Sequence, residues 1–216
     1  MDAAPTAVEA PARGTRAGRA RREQILEAAS RLFSEQGYHG TSMRDLAEAT
    51  GILRGSLYAH IRAKEDLLFE IVLRAAEAFL GSLGEVAGSD ATPERKLREA
   101  MRAHVRVVSE DPDAARVFHH EWRALGEPRL AEARALRDRY ESLWERIVTE
   151  GLRTGTFHAP DPRAVRLLVL GAANWTYTWY DPQGPLTPDQ VADRFTDLVV
   201  RGLRPRGKIR GSEVRA

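Results

Sequence analysis

The chain has 216 residues, 43% hydrophobic and 30% charged, which is the balance of a soluble globular protein able to bury a core. It carries no cysteine, which excludes a disulfide framework, a thiolate metal site and a cysteine nucleophile. The net charge of +2 is small, but basic residues gather at the two ends: Arg13, Arg16, Arg19, Arg21 and Arg22 in an N-terminal arm, and Arg201, Arg204, Arg206, Lys208 and Arg210 in a C-terminal tail.

The segment up to Gly18 is rich in Ala, Pro and Gly and reads as a disordered basic arm, residues 1–18. It lacks the apolar stretch of a signal peptide. The longest apolar run, Leu167 to Trp179, is interrupted by Asn174 and falls short of the ~18 residues a membrane helix needs. These features imply a cytoplasmic protein with no membrane partner.

A first helix is expected from about Arg19 to Gln36, with Ile25, Leu26, Ala29, Leu32 and Phe33 on one apolar stripe and Gly37 closing it. Ser42 and Asp45 have the spacing of a capping box, so Ser42 starts a second, short helix that Gly51 ends in a left-handed turn. Arg54 to Tyr58 makes a third, shorter one. Helices this short do not persist alone, because nucleation is costly below roughly 12–15 residues. They need the first helix to pack on, and the three form a helix-turn-helix unit over residues 19–63.

From Lys64 a longer helix continues past Leu80, with Leu67, Leu68, Ile71, Val72, Ala75, Phe79, Leu80 and Leu83 on its buried side. Gly81, Gly84 and Gly88 predict fraying there. Thr92-Pro93, Asp111-Pro112, Asp161-Pro162 and Thr187-Pro188 then put a capping side chain before a proline at the first helical position, and Glu127-Pro128 is a weaker version. They delimit helices at about 93–109, 112–125, 128–153, 162–179 and 188–203. No segment alternates with the period of a strand. The expectation is an all-α protein of about nine helices: the helix-turn-helix unit, a helical ligand-binding and dimerisation domain over 64–204, and a basic tail over 205–216.

The first third of the chain resembles the DNA-binding domain of TetR-family regulators. The likeness rests on Thr41-Ser42-Met43-Arg44-Asp45-Leu46-Ala47, then Gly51, Gly55-Ser56-Leu57-Tyr58-Ala59-His60-Ile61 and Lys64-Glu65-Asp66-Leu67-Leu68. Leu53 and Ala63 stand where that family commonly places capping hydroxyl residues, and Ile61 where Phe is commoner. Each lost cap costs on the order of 1 kcal/mol.

Arg54, Gly55 and Ser56 sit at the N-terminal end of the recognition helix, the part that enters the major groove. Arg54 suits a guanine, Gly55 a close backbone approach, and Ser56 a base or a phosphate. Thr41 and Ser42 begin the supporting helix beside the DNA backbone, and Arg44 lies on its outer face. Tyr58, His60 and Lys64 would hold phosphates, as the resemblance implies. The partner is double-stranded DNA with a pseudo-palindromic site.

The stretch Asn174-Trp175-Thr176-Tyr177-Thr178-Trp179-Tyr180-Asp181-Pro182-Gln183-Gly184-Pro185-Leu186-Thr187 is similar to the C-terminal domain of TetR-type repressors of fatty-acid and sterol-ring catabolism. The resemblance implies an acyl-CoA effector that releases the operator, held in a long pocket with cationic groups at its mouth. Aromatic side chains concentrate in this second half, consistent with core packing or with an apolar pocket. The candidate lining is Phe79, Met101, Val105, Phe118, Trp122, Arg137, Tyr140, Trp144, Asn174, Trp175 and Trp179, with Arg137 and Arg123 for CoA phosphates.

The apolar helix from about 162 to 179 needs cover on two sides. With the amphipathic 188–203 helix it suggests a homodimer through a four-helix interface, which would place two recognition helices about 34 Å apart. His119-His120-Glu121 does not make a metal site, since adjacent histidines on a helix diverge by about 100°. No phosphate loop, paired-carboxylate motif or nucleophile elbow is present, so neither a metal, a cofactor nor an enzymatic activity is expected. The rival readings are a regulator of efflux sensing a lipophilic drug-like compound, and a helical enzyme or carrier with a vestigial DNA-binding unit.

Overall fold

A computed structural model describes residues 16–159 and 161–204. Among these residues the regular structure is nine α-helices and two short 3-10 turns, without a strand. The helices are α1 (Arg16–Gln36), α2 (Met43–Thr50), α3 (Arg54–Leu57), α4 (Lys64–Gly88), α5 (Pro93–Glu110), α6 (Pro112–His120), α7 (Arg129–Arg153), α8 (Pro162–Asn174) and α9 (Pro188–Leu203). The turns are Trp122–Ala124 and Trp175–Thr178.

Four helix starts use the expected device. The side chains of Thr92, Asp111, Asp161 and Thr187 accept the backbone N–H groups of Arg95, Ala114, Arg163 and Gln190, with proline opening each helix. Proline costs nothing there because its missing N–H would have gone unpaired. The fifth expected start differs, since Pro128 lies ahead of α7, which opens at Arg129.

Three boundaries are corrected. Arg16 to Gly18, expected as disordered arm, are the first turn of α1, extended by good helix formers such as Ala17, Arg19 and Ala20. The rest of that arm, with Arg13, and the tail residues Arg206, Lys208 and Arg210 lie outside the described residues. α4 does not fray at Gly81 but runs unbroken to Gly88. Its glycines face open space while Leu83 and Ala87 pack into the core, so tertiary burial outweighs the helix cost of glycine, about 1 kcal/mol each. α8 stops at Asn174, where the Thr176 hydroxyl donates to Ala173 O and the Thr178 hydroxyl to Trp175 O, both at 2.7 Å. Such back-bonding competes with the α-helical ladder and tightens the turn.

α4 packs against α1 on one side and against α5, α6 and α7 on the other, so both halves share one core. α9 is registered on α5 by a ladder of like spacing: Arg98, Arg102 and Arg106 meet Asp197, Asp193 and Asp189. Single exposed ion pairs contribute little, but a repeated set fixes how one helix lies along another.

Candidate nucleic-acid interface and ligand pocket

The turn that presents α3 is built locally. Ser42 Oγ accepts the Asp45 N–H at 3.2 Å and Asp45 accepts the Ser42 N–H at 2.7 Å, closing the capping box at the start of α2. Gly51 ends α2 with φ of 64°, a conformation that favours glycine. α3 has only four residues and is held by Leu57, buried with Ile52 and Ile61. Arg54, Gly55 and Ser56 are exposed together on its outer side, with Tyr58 also exposed and His60 half-buried. A Cβ built on Gly55 would meet nothing within 4 Å, so the fold itself does not require glycine there. Arg44 lies on the outer face of α2 in an ion pair with Glu48 at 2.8 Å.

Two expected DNA contacts are corrected. Thr41 is buried, and its hydroxyl donates to Gly37 O at 2.9 Å, so its side chain is a packing group that cannot reach a phosphate. Lys64 turns inward: its ammonium donates to Tyr38 O at 2.5 Å and Thr41 O at 2.6 Å and sits 4.1 Å from the Tyr38 ring centroid. Burial there lowers its pKa. Lys64 therefore ties the α1–α2 connection to α4. Arg22, expected in the basic arm, donates to His60 O at 2.9 Å and pairs with Glu70.

In the second half, Phe79, Met101, Val105, Phe118, Trp122, Tyr140 and Trp144 are all buried. Phe79 stands at their centre, its ring 5.0 Å from His104, 5.3 Å from Phe118, 5.7 Å from His119 and 5.4 Å from Tyr140. The expected long pocket is closed. The cavity bounded by Phe118, His119, Arg137, Tyr140, Glu141, Leu170 and Asn174 has a volume of about 20 Å³, room for about one water.

Several buried polar atoms around it have no protein partner among the described residues: His104 Nε2, both ring nitrogens of His119, Trp122 Nε1 and Asn174 Oδ1. His104 is bound only through Nδ1, 2.6 Å from the Tyr140 hydroxyl. Burial pushes its pKa down to about 3. Burial, followed by the neighbouring His104 and Arg137, pushes that of His119 well below the ordinary value. Both imidazoles are neutral near pH 7, each offering one N–H and one acceptor nitrogen. Neither histidine was a candidate from sequence; the available signal was His104 inside the apolar stripe Met101, Val105, Val108.

Arg137 lies at the edge of this cluster. It donates to Phe118 O at 3.0 Å, and its guanidinium stands 4.9 Å from the Phe118 ring and 5.0 Å from the Trp122 ring. Arg123 stands 4.6 Å from the same indole. Among the described residues no carboxylate forms an ion pair with either arginine, whereas Glu141, which also lines the cavity, is committed to Arg166. Burial lowers the Arg137 pKa, opposed by the nearby charges of Glu141 and Asp138 and reinforced by that of Arg123.

Trp175 and Trp179 are corrections: they are 60% and 45% exposed, outside the pocket. The shortened α8 turns them outward, toward Tyr177 and Phe195 respectively. Asn174, half-buried, stays at the cavity.

The pocket and the α1–α2 connection are joined by short paths. α6 carries Phe118 and His119, and just beyond it the Glu121 carboxylate accepts the Tyr38 N–H at 2.8 Å. Arg129 of α7 pairs with Asp66 in the first turn of α4, and Gly126 N–H donates to Glu65 at 3.2 Å. Tyr38 is thus gripped from the second domain through its N–H and from α4 through its carbonyl.

Residues 25–71 match the family described as bacterial regulatory proteins, tetR family, and residues 90–203, more than half the chain, match the tetracyclin repressor-like C-terminal domain. The chain belongs to the TetR family. It is a DNA-binding transcriptional repressor and not an enzyme. It is 28% identical over 195 residues to the HTH-type transcriptional repressor KstR2 of Rhodococcus jostii, covering 89% of this chain and 96% of that one. Among solved structures, it is similar to the TetR-family regulator PfmR from Thermus thermophilus, with TM-score 0.74 and 34% identity over 84% of this chain and 99% of that one. It is also similar to AibR, solved in complex with isovaleryl coenzyme A and operator DNA, with TM-score 0.72 and 31% identity over 82% and 97% of the two chains. No helix among the described residues is long and apolar enough to cross a membrane, and none of their His, Asp and Glu residues form a group able to hold a metal.

Proposed function

We propose that this repressor works in the cytoplasm as a homodimer on a pseudo-palindromic operator and releases it when a CoA thioester enters the second domain. The observation that carries the effector class is the unpaired couple Arg123 and Arg137 over Trp122, at the edge of a buried aromatic and histidine cluster. Guanidinium groups engaged in no ion pair suit phosphate oxygens, and the buried rings beside them suit an acyl moiety. The rival, a lipophilic cation, needs an available buried carboxylate; Glu141 is engaged by Arg166. AibR supports the same class, since it is described with isovaleryl coenzyme A, and KstR2 supports the repressor's place among regulators of its kind.

With room for about one water, the cavity must open to admit an acyl group, so the ligand selects a conformation other than this one. The dimer reading rests on Leu167, Leu168 and Trp175 near α8 and Leu198 on α9, which are exposed large apolar groups gathered on the last helices. Light scattering of the purified chain is expected to give twice the chain mass; a monomer at operator-binding concentrations contradicts it. The effector reading is tested by titrating CoA thioesters of increasing acyl length into a repressor–operator complex. At least one should release the DNA and lose that effect in Arg137→Gln. Release by lipophilic cations and by no thioester contradicts the reading.

A further inference from the structure

Leu53 stands immediately before the recognition helix and is 82% exposed. It is more exposed than any other large hydrophobic side chain among the described residues, and in the DNA-binding half only Tyr58 shares that status. Its backbone begins α3, with the Leu53 carbonyl accepting the Leu57 N–H at 3.1 Å, yet the side chain offers no capping bond. A serine, threonine or aspartate here would satisfy a free N–H of the first turn. Leucine gives up that bond and leaves most of its apolar surface in water. Two positions on, Gly55 has open space where a Cβ would be. Thus the two residues flanking Arg54 both have side-chain choices that the fold does not explain, and all three face outward together.

We propose that Leu53 reads the C5-methyl group of a thymine in the major groove. The N-terminal end of a recognition helix is the part that meets base edges. Phosphates and most base-edge atoms are polar and would lose water to a leucine without compensation. The thymine methyl is the apolar group the major groove displays, and it separates T·A from the other pairs. Beside it, Arg54 reaches a neighbouring base or phosphate, and Gly55 lets the backbone come close. The contact rests on DNA binding by this surface and is independent of the effector.

The test is a selection with the purified full chain from two randomised duplex pools, one made with thymine and one with uracil in its place. Wild-type protein should enrich a half-site containing a thymine whose preference drops about fourfold in the uracil pool, the value of one buried methyl group. Leu53→Ser should enrich the rest of the half-site but show the same preference at that position in both pools. Since Leu53 is exposed, the variant keeps the fold, and enrichment of any half-site reports DNA binding separately. The proposal is overturned if wild type selects identical half-sites from both pools, or if Leu53→Ser retains the methyl-dependent preference.

Discussion

His104 and His119 are held as neutral imidazoles in the core of the second half, and this has a thermodynamic consequence. His104 has a pKa of about 3 in the fold against 6.5 for the free side chain. Between those values the unfolded chain binds a proton that the folded chain refuses, so stability falls as pH drops below about 6.5. Above that pH the histidine is neutral in both states and adds no pH dependence. Each pH unit well below 6.5 removes about 1.4 kcal/mol for this residue. Denaturant unfolding of wild type and His104→Gln at pH 7 and pH 5 checks this: wild type should lose about 2 kcal/mol more than the variant between the two. Equal losses would mean that His104 titrates normally in the fold. At the same scale, Lys64 and Thr41 mark where residue types alone mislead. A lysine and a threonine near a helix-turn-helix suit phosphates in composition, but their direction depends on the α1–α2 connection folding back over α4. That is a long-range feature which no local pattern carries. Ser42, Gly51 and the four proline-opened helices were legible because capping is decided within a few residues of chain.

Among the elements, α6 and the connection after it hold the position from which a ligand could act on the DNA-binding half. Phe118 and His119 face the cavity, and Glu121, one residue past the helix, accepts the Tyr38 N–H from the loop that leads into α2. A shift of α6 on opening of the cavity must move this carboxylate or break its bond. The bond is worth testing directly. Glu121→Ala removes the acceptor and should weaken operator binding about tenfold, in line with a hydrogen bond to a charged group, while leaving thioester binding in place. Glu121→Gln keeps an amide oxygen and should stay within about threefold of wild type. Anisotropy with a labelled operator measures both, and equal affinities for Ala and wild type would remove Glu121 from the path. The element boundaries show a second limit of reading from sequence. Glycines predicted an early end to α4, yet packing against α5, α6 and α7 carries it to Gly88. The Arg98–Arg102–Arg106 and Asp189–Asp193–Asp197 spacings are visible in the chain, but which helix meets which is settled only by the fold.

At the scale of the whole molecule, ligand-controlled release requires two coupled sites on one core: α3 outside on the DNA-binding half, and the His104–His119–Arg137 cluster inside the second. α4 belongs to both, and the Glu121–Tyr38 and Arg129–Asp66 links cross between them. If a CoA thioester and the operator favour different conformations, each must weaken the other by the same factor, because binding free energies are reciprocal. The decisive measurement is the affinity of a releasing CoA thioester for the free repressor and for the repressor saturated with operator. Binding should be weaker to the DNA-bound form, by a factor in the range of about 5–150, equal to the factor by which the same thioester lowers operator affinity. Equal thioester affinities for the two forms, with the ligand bound in the second domain, would contradict it.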